Sequence, residues 1–206
     1  MQYETILVDL DGVIRKWRPS DETIEVAFGL PVGSIRKTAF LPELVSQAVT
    51  GAITDEEWRE QTAERLRREF GASDAREAVA QWTSQPGEVD QQVLSILSAR
   101  DASIKLILVT NATSRLSLDL KNLGLSGHFH SVVNSSQVGV KKPSAEVFRI
   151  AMERSATAPE HALFIDDTAA NVAAAARLGI LSHMFVGHSE LSAFLHQAGV
   201  LRAEAL

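Results

Sequence analysis

The sequence predicts an α/β protein, a doubly wound parallel sheet that carries a small all-helical domain as an insertion. Three observations lead there. Short apolar runs that stop abruptly at Asp, Thr or Asn alternate with helical patterns. About 70 residues between the first two runs hold helical patterns and no strand signal. The unusual polar residues fall at the ends of the apolar runs, the edge where open α/β sheets bind ligands.

The first run, Thr5-Ile6-Leu7-Val8, is β-rich and stops at Asp9, as a strand buried on both faces does. The second spans 104–109 and ends at Thr110-Asn111. Val132-Val133 is a weaker third, Ala162-Leu163-Phe164-Ile165 a strong fourth that ends at Asp166-Asp167, and 182–186 a fifth. Helical patterns connect them at 89–100, 116–123, 144–154 and 169–178, with Gly124 and Gly179 placed to end two of them. The insertion reads as helices at 21–28, 42–50, 54–70 and 73–82, and Pro86-Gly87 closes it. Thr54-Asp55-Glu56-Glu57 has the form of a capping box, followed by Trp58, Thr62, Leu66 and Phe70 at helical spacing and then Gly71. The expected division is a core of residues 1–14 and 86–206 and a helical domain of residues 15–85.

A chain of 206 residues has room for one core and a small second body. With 45% apolar and 22% charged residues its balance is that of a globular protein. A net charge of −6 without a long block of either sign argues against a nucleic-acid partner. The absence of cysteine excludes disulfides, thiolate-bound metals and a cysteine nucleophile. The amino-terminal residues show no charged leader and no long apolar stretch, so neither a signal peptide nor a membrane span is expected, and the cytoplasm is the expected location.

The first strand delivers Asp9 and Asp11, the second Thr110 and Asn111, and the fourth Asp166 and Asp167; Lys141-Lys142-Pro143 lies between the third and fourth. Several carboxylates at one sheet edge repel unless a cation joins them, and Mg²⁺ with a phosphate group suits such oxygen ligands. A metal, a lysine and Thr/Asn donors make a site where phosphoryl transfer proceeds by positioning and charge stabilisation. A carboxylate can also serve as the nucleophile. Blander roles exist for each residue: Asp9 and Asp11 suit a turn, and Asp167 or Thr110 can cap the helix that follows.

The run Ile6-Leu7-Val8-Asp9-Leu10-Asp11-Gly12-Val13 resembles the first motif of the haloacid dehalogenase (HAD) superfamily. Thr110-Asn111 resembles its second motif, Lys142-Pro143 its third, and Phe164-Ile165-Asp166-Asp167 with Asn171 its fourth, in the family order and across nearly the whole chain. The insertion is similar to the family's helical cap between the first and second motifs. The resemblance implies a Rossmann-like core and Mg²⁺-dependent hydrolysis of a phosphate monoester of a small metabolite, such as a sugar phosphate. In that reading Asp9 forms an aspartyl phosphate, and Asp11 protonates the leaving alcohol and then activates water. Thr110 and the Asn111 backbone hold the phosphoryl oxygens, and Lys142, favoured over Lys141, steadies nucleophile and phosphate. Mg²⁺ takes an Asp9 oxygen, the Asp11 backbone carbonyl and Asp167, with Asp166 behind or through water. Asn171 is expected to fix its loop.

Dehalogenase members, as the resemblance goes, lack the carboxylate of Asp11, because departing halide needs no proton; Asp11 therefore favours phosphate esters. A phosphomutase of the same superfamily is the runner-up, and a signalling receiver domain and a catalytically silent phosphate binder are weaker alternatives. Arg15, Lys16 and Arg18 read as a solvated basic linker or as a greeting for an anionic substrate. Trp17, Trp58 and Trp82 read mostly as core of the insertion, with one lining the cleft. No histidine receives a role. Monomer and homodimer are both compatible with the sequence.

Overall fold

The protein, described by a computed structural model over residues 2–17 and 21–201, is built around one five-stranded sheet. The chain opens with β1 (Thr5–Val8) and a short β2 (Arg15–Lys16). Five helices follow: α1 (Asp21–Ala27), α2 (Ser34–Ala39), α3 (Pro42–Val49), α4 (Asp55–Phe70) and α5 (Ala75–Thr83). Then come β3 (Glu88–Val89), α6 (Gln91–Ser98), β4 (Lys105–Thr110) and α7 (Leu116–Asn122). The remainder is β5 (Ser131–Asn134), α8 (Ser135–Val138), α9 (Ala145–Ser155), β6 (Ala162–Asp166), α10 (Ala169–Ala176), β7 (Leu181–Met184) and α11 (His188–Gln197).

The sheet order is β5-β4-β1-β6-β7, all neighbours parallel, with β1 in the centre. Side chains alternate between two cores, as strand periodicity demands. Ile6, Val8, Leu106, Leu108, Leu163 and Ile165 face one, beneath α6, α7 and α11. Leu7, Ile107, Val109 and Phe164 face the other, beneath α9 and α10, where Phe148 and Phe164 meet edge to face with centroids 5.0 Å apart. The doubly wound sheet is thus present, with helices on both sides. Val8 registers with Leu108 and with Ile165, so the residues that follow these three strands emerge together at one edge.

The helices α1–α5 have apolar clusters of their own, one around Ile35 and Leu66 and one around Leu44 and Trp58. The capping box at α4 is formed: Thr54 accepts from the Glu57 amide and Glu57 from the Thr54 amide, and Gly71 ends the helix at φ 69°. Two boundaries differ from expectation. Arg15–Lys16 is a strand that pairs antiparallel with Glu88–Val89, so the insertion begins and ends in a two-stranded ribbon. Val89 is therefore strand, and α6 begins after Asp90, whose carboxylate accepts from the Gln92 and Val93 amides. Among the described residues no helix is long and apolar enough to cross a membrane.

Candidate active site

Asp9 directly follows β1, is 7% exposed, and receives its own neighbour's amide: Leu10 N–H donates to Oδ1 at 2.7 Å. The buried Lys142 ammonium reaches the same oxygen at 2.7 Å and Asp166 Oδ2 at 2.7 Å, so one cation lies between two buried carboxylates. Burial pushes the Asp9 carboxyl up to about 7, against the pull of Lys142 and with a further push from Asp166.

The adjacent acidic residues at the end of β6 are placed very differently. Asp166 is fully buried, and besides Lys142 it accepts from the Thr168 amide at 2.8 Å and from the Asn171 side chain at 3.0 Å. Asn171 therefore fixes its loop, as the sequence suggests. Asp167 is exposed, and its hydrogen-bond partner among the described residues is the Thr168 hydroxyl, 3.1 Å away. Oxygens of Asp9, Asp166 and Asp167 lie within 4.8 Å of one another. Three carboxylates around one ammonium leave net negative charge for a hard divalent cation to offset, and Asp167 has the freer oxygens for it.

Gly12 makes this approach possible. Its φ is +83°, and a Cβ there would sit 1.9 Å from Asp167 Oδ2. Gly12→Ala forces both the loop and Asp167 to move. The expected result is Mg²⁺ affinity weakened by about 10–100-fold, the scale of effect for residues that orient a metal ligand. Calorimetric titration with Mg²⁺ checks this, and wild-type affinity would show that Asp167 does not set it.

Thr110 ends β4 at 1% exposure, and its Oγ1 has no hydrogen-bond partner among the described residues. Leaving a buried hydroxyl unpaired costs about 1–3 kcal/mol, so the atom is suited to an external acceptor. The Asn111 side chain is committed elsewhere: Nδ2 donates to the Lys142 carbonyl at 3.0 Å and Oδ1 accepts from the Lys142 amide at 2.8 Å. It holds the Lys142 backbone. Lys141 points to the insertion, donating to Ser46 Oγ at 3.1 Å.

Asp11 stands apart from the carboxylate cluster. Arg15 grips both of its oxygens, Nε to Oδ1 at 2.6 Å and Nη2 to Oδ2 at 2.9 Å, and Trp17 Nε1 donates to Oδ1 at 2.8 Å. Arg15 is 4% exposed and also reaches Asp119 at 3.3 Å, so it is no solvated linker residue. Trp17 is 48% exposed with the Arg15 guanidinium 4.3 Å from its ring centroid, so it is not core either. Lys16 pairs with Asp90, and Arg18 lies outside the described residues.

The structure brings Asp9, Lys142, Asp166 and Asp167 together at the strand ends beside the unpaired Thr110 hydroxyl, with Asp11 apart from them. The family model for haloacid dehalogenase-like hydrolases matches residues 3–179. The chain belongs to the haloacid dehalogenase-like hydrolase family. It is 35% identical over 75 residues to haloacid dehalogenase-like hydrolase domain-containing protein 3 of Mus musculus, 36% of this chain and 30% of that protein. The chain thus spans less than a third of that relative's length. Over 182 residues it is 26% identical to the phosphoglycolate phosphatase of Aquifex aeolicus (strain VF5), 84% of this chain and 80% of that one. A HAD family enzyme of Bacteroides thetaiotaomicron, solved in complex with magnesium and inorganic phosphate, aligns at a TM-score of 0.70 and 22% identity. That alignment covers 88% of this chain and 93% of the other and shows a shared fold.

The HAD motifs do not account for every polar residue near the site. Thr113 Oγ1 donates to Asp55 Oδ1 at 2.7 Å, Ser114 Oγ accepts from the Asp55 amide at 3.0 Å, and Arg115 donates to the Thr83 carbonyl at 2.6 Å. These bonds tie the loop after β4 to the helical insertion. Asp55 was visible as part of a capping box, but nothing in the spacing of a residue 58 positions from Thr113 marks the pair.

Proposed function

We propose that this chain hydrolyses a phosphate monoester of a small metabolite, in the cytoplasm, through an aspartyl phosphate on Asp9. The observation that carries the reading is the Asp9–Lys142–Asp166 chain of contacts, with Asp167 beside it and the unpaired Thr110 hydroxyl on the adjacent strand. The Aquifex relative's name and the magnesium and phosphate of the Bacteroides enzyme support it.

Asp9 Oδ1 is held by Lys142 and the Leu10 amide, which leaves Oδ2 for the reacting group. Oδ2 forms the bond to phosphorus as the bond to the leaving oxygen breaks. Asp11 gives a proton to that oxygen and then takes one from the water that cleaves the Asp9–phosphorus link. In the arrangement seen, Arg15 occupies both Asp11 oxygens, so Asp11 parts from at least one of these bonds to act. Thr110 Oγ1 and the Asn111 backbone receive the phosphoryl oxygens, and Lys142 offsets their charge. The side chains of Asp9 and Asp167 and the Asp11 carbonyl would hold Mg²⁺, with Asp166 behind them. Bound there, Mg²⁺ supplies charge stabilisation to phosphoryl oxygens and carboxylates. Residues 15–85 act as a cap over a core of residues 1–14 and 86–206, closing the site to bulk water.

The test is inorganic phosphate release from a panel of small phosphate esters, with Mg²⁺ and with a chelator. Metal-dependent release is expected. Release indifferent to the chelator would remove the metal from the reading, and no release from any ester would overturn it.

A further inference from the structure

Above Asp11, between the insertion and the loop after β4, lies a cavity of about 420 Å³, within the range of small-molecule sites. Its insertion-side wall is aromatic. The Phe40 ring centroid is 6.2 Å from that of Trp58 and 6.3 Å from that of Trp82, both edge to face, and the two tilted indoles are 6.0 Å apart, so three rings form one aromatic cluster. Trp17 adds a fourth ring beside Asp11. The indole N–H groups are already used: Trp58 donates to the Ala39 carbonyl, Trp82 to Asp21 and Trp17 to Asp11.

The charged groups of the wall are used as well. Arg36 pairs with Asp21 at 2.7 Å, Arg115 with Asp119 at 2.9 Å, and Asp55 with Arg59. Arg15 holds both Asp11 and Asp119. The wall carries four carboxylates, Asp11, Asp21, Asp55 and Asp119, matched by the guanidinium groups of Arg15, Arg36 and Arg115 and by Arg59 against Asp55. Among the described residues each guanidinium of the wall faces a carboxylate and the charges balance, so the wall presents no excess of positive charge to a ligand. An uncharged ring finds aromatic edges to meet and apolar area to bury there.

We infer that this chamber selects phosphate esters whose leaving group is an uncharged, ring-bearing alcohol, in preference to small hydrophilic ones. The inference rests on the proposed role of Asp11 at the leaving oxygen, which places the leaving group in the chamber. It runs against the expectation of a sugar phosphate and against the substrate named for the Aquifex relative. Phe40, which is 48% exposed and projects into the chamber from the end of α2, is assigned as a specificity residue.

Three esters test it: benzyl phosphate, 2-hydroxyethyl phosphate, whose alcohol is of similar acidity, and phosphoglycolate. Their binding to Asp9→Asn with Mg²⁺ is measured by calorimetry, so that turnover plays no part. Benzyl phosphate is expected to bind at least tenfold more tightly than either of the others. The benzyl to hydroxyethyl ratio is expected to fall at least threefold when Phe40→Ala is added, and a ratio needs no correction for the fraction folded. Equal or weaker binding of the benzyl ester, binding of none of the three, or a ratio unmoved by Phe40→Ala overturns the inference. Phosphate release by the wild-type protein is read separately. A ring preference in binding without any release would leave the chamber standing and remove the hydrolase reading; release without ring preference would do the reverse.

Discussion

Asp9→Asn is expected to abolish turnover, by about 10⁴-fold or more as for loss of a catalytic nucleophile, while making the metal-free protein more stable at pH 8. The amide keeps an oxygen for Lys142 and the Leu10 amide but is a poor nucleophile. The stability effect follows from burial. The Asp9 carboxyl is raised from 3.8 to about 7, chiefly by desolvation. A carboxyl whose folded pKa lies above its unfolded value binds its proton more tightly in the folded protein, so stability falls as pH rises between these values and stays low above them. At about 1.4 kcal/mol per pKa unit, and discounted for relaxation around a buried group, the cost at pH 8 is roughly 1–4 kcal/mol. The asparagine variant lacks it. Urea unfolding in the presence of a chelator should show the variant more stable at pH 8 and closer to wild type at pH 4. A variant less stable than wild type at pH 8 would show that the Lys142–Asp9 attraction outweighs desolvation.

Lys142→Met has the opposite consequence. The methionine occupies a similar volume, but Asp9 and Asp166 lose the cation between them and stay buried beside each other. Breaking a buried pair from one side costs roughly 3–5 kcal/mol, and activity should be lost with it. The deficit should be largest in chelator at pH 8, and should shrink as acid protonates the carboxylates or as Mg²⁺ is added. Thermal midpoints of the variant across pH, with and without Mg²⁺, check this. A deficit independent of both would mean that Lys142 matters for packing alone, against Phe164 whose ring lies 5.8 Å from its ammonium.

The sheet was legible because its strands are buried on both faces. Ile6 to Val8 and Leu163 to Ile165 cannot alternate with polar residues when cores lie above and below. The cluster was legible for a related reason: carboxylates at the ends of such strands need a cation, and the sequence shows where the strands end. What escaped depends on distant partners. Helix α2 has no side-chain cap of its own; Glu25, fully buried, accepts from the amides of Gly33 and Ile35, eight and ten residues away. Local spacing does not announce such a cap. Arg15 read as a linker residue or a substrate contact because its partners, nearby Asp11 and Asp119 104 positions along the chain, are not marked by local spacing. Trp17 read as core because a tryptophan's sequence does not say whether its ring faces a chamber or other side chains.

The ribbon of Arg15–Lys16 against Glu88–Val89 brings the two ends of the helical insertion side by side. A turn joining Lys16 to Glu88 would bypass the whole segment and still leave all five strands of the large sheet, along with Asp9, Lys142, Asp166 and Asp167. The segment is therefore a cassette: it can lengthen, shrink or be exchanged through one narrow doorway without disturbing the register of β1. Phe40, Trp58 and Trp82 all sit on the cassette, and Asp9, Asp166 and Asp167 all sit outside it. Mutation can thus rewrite what the chamber admits while the sheet edge is inherited unchanged.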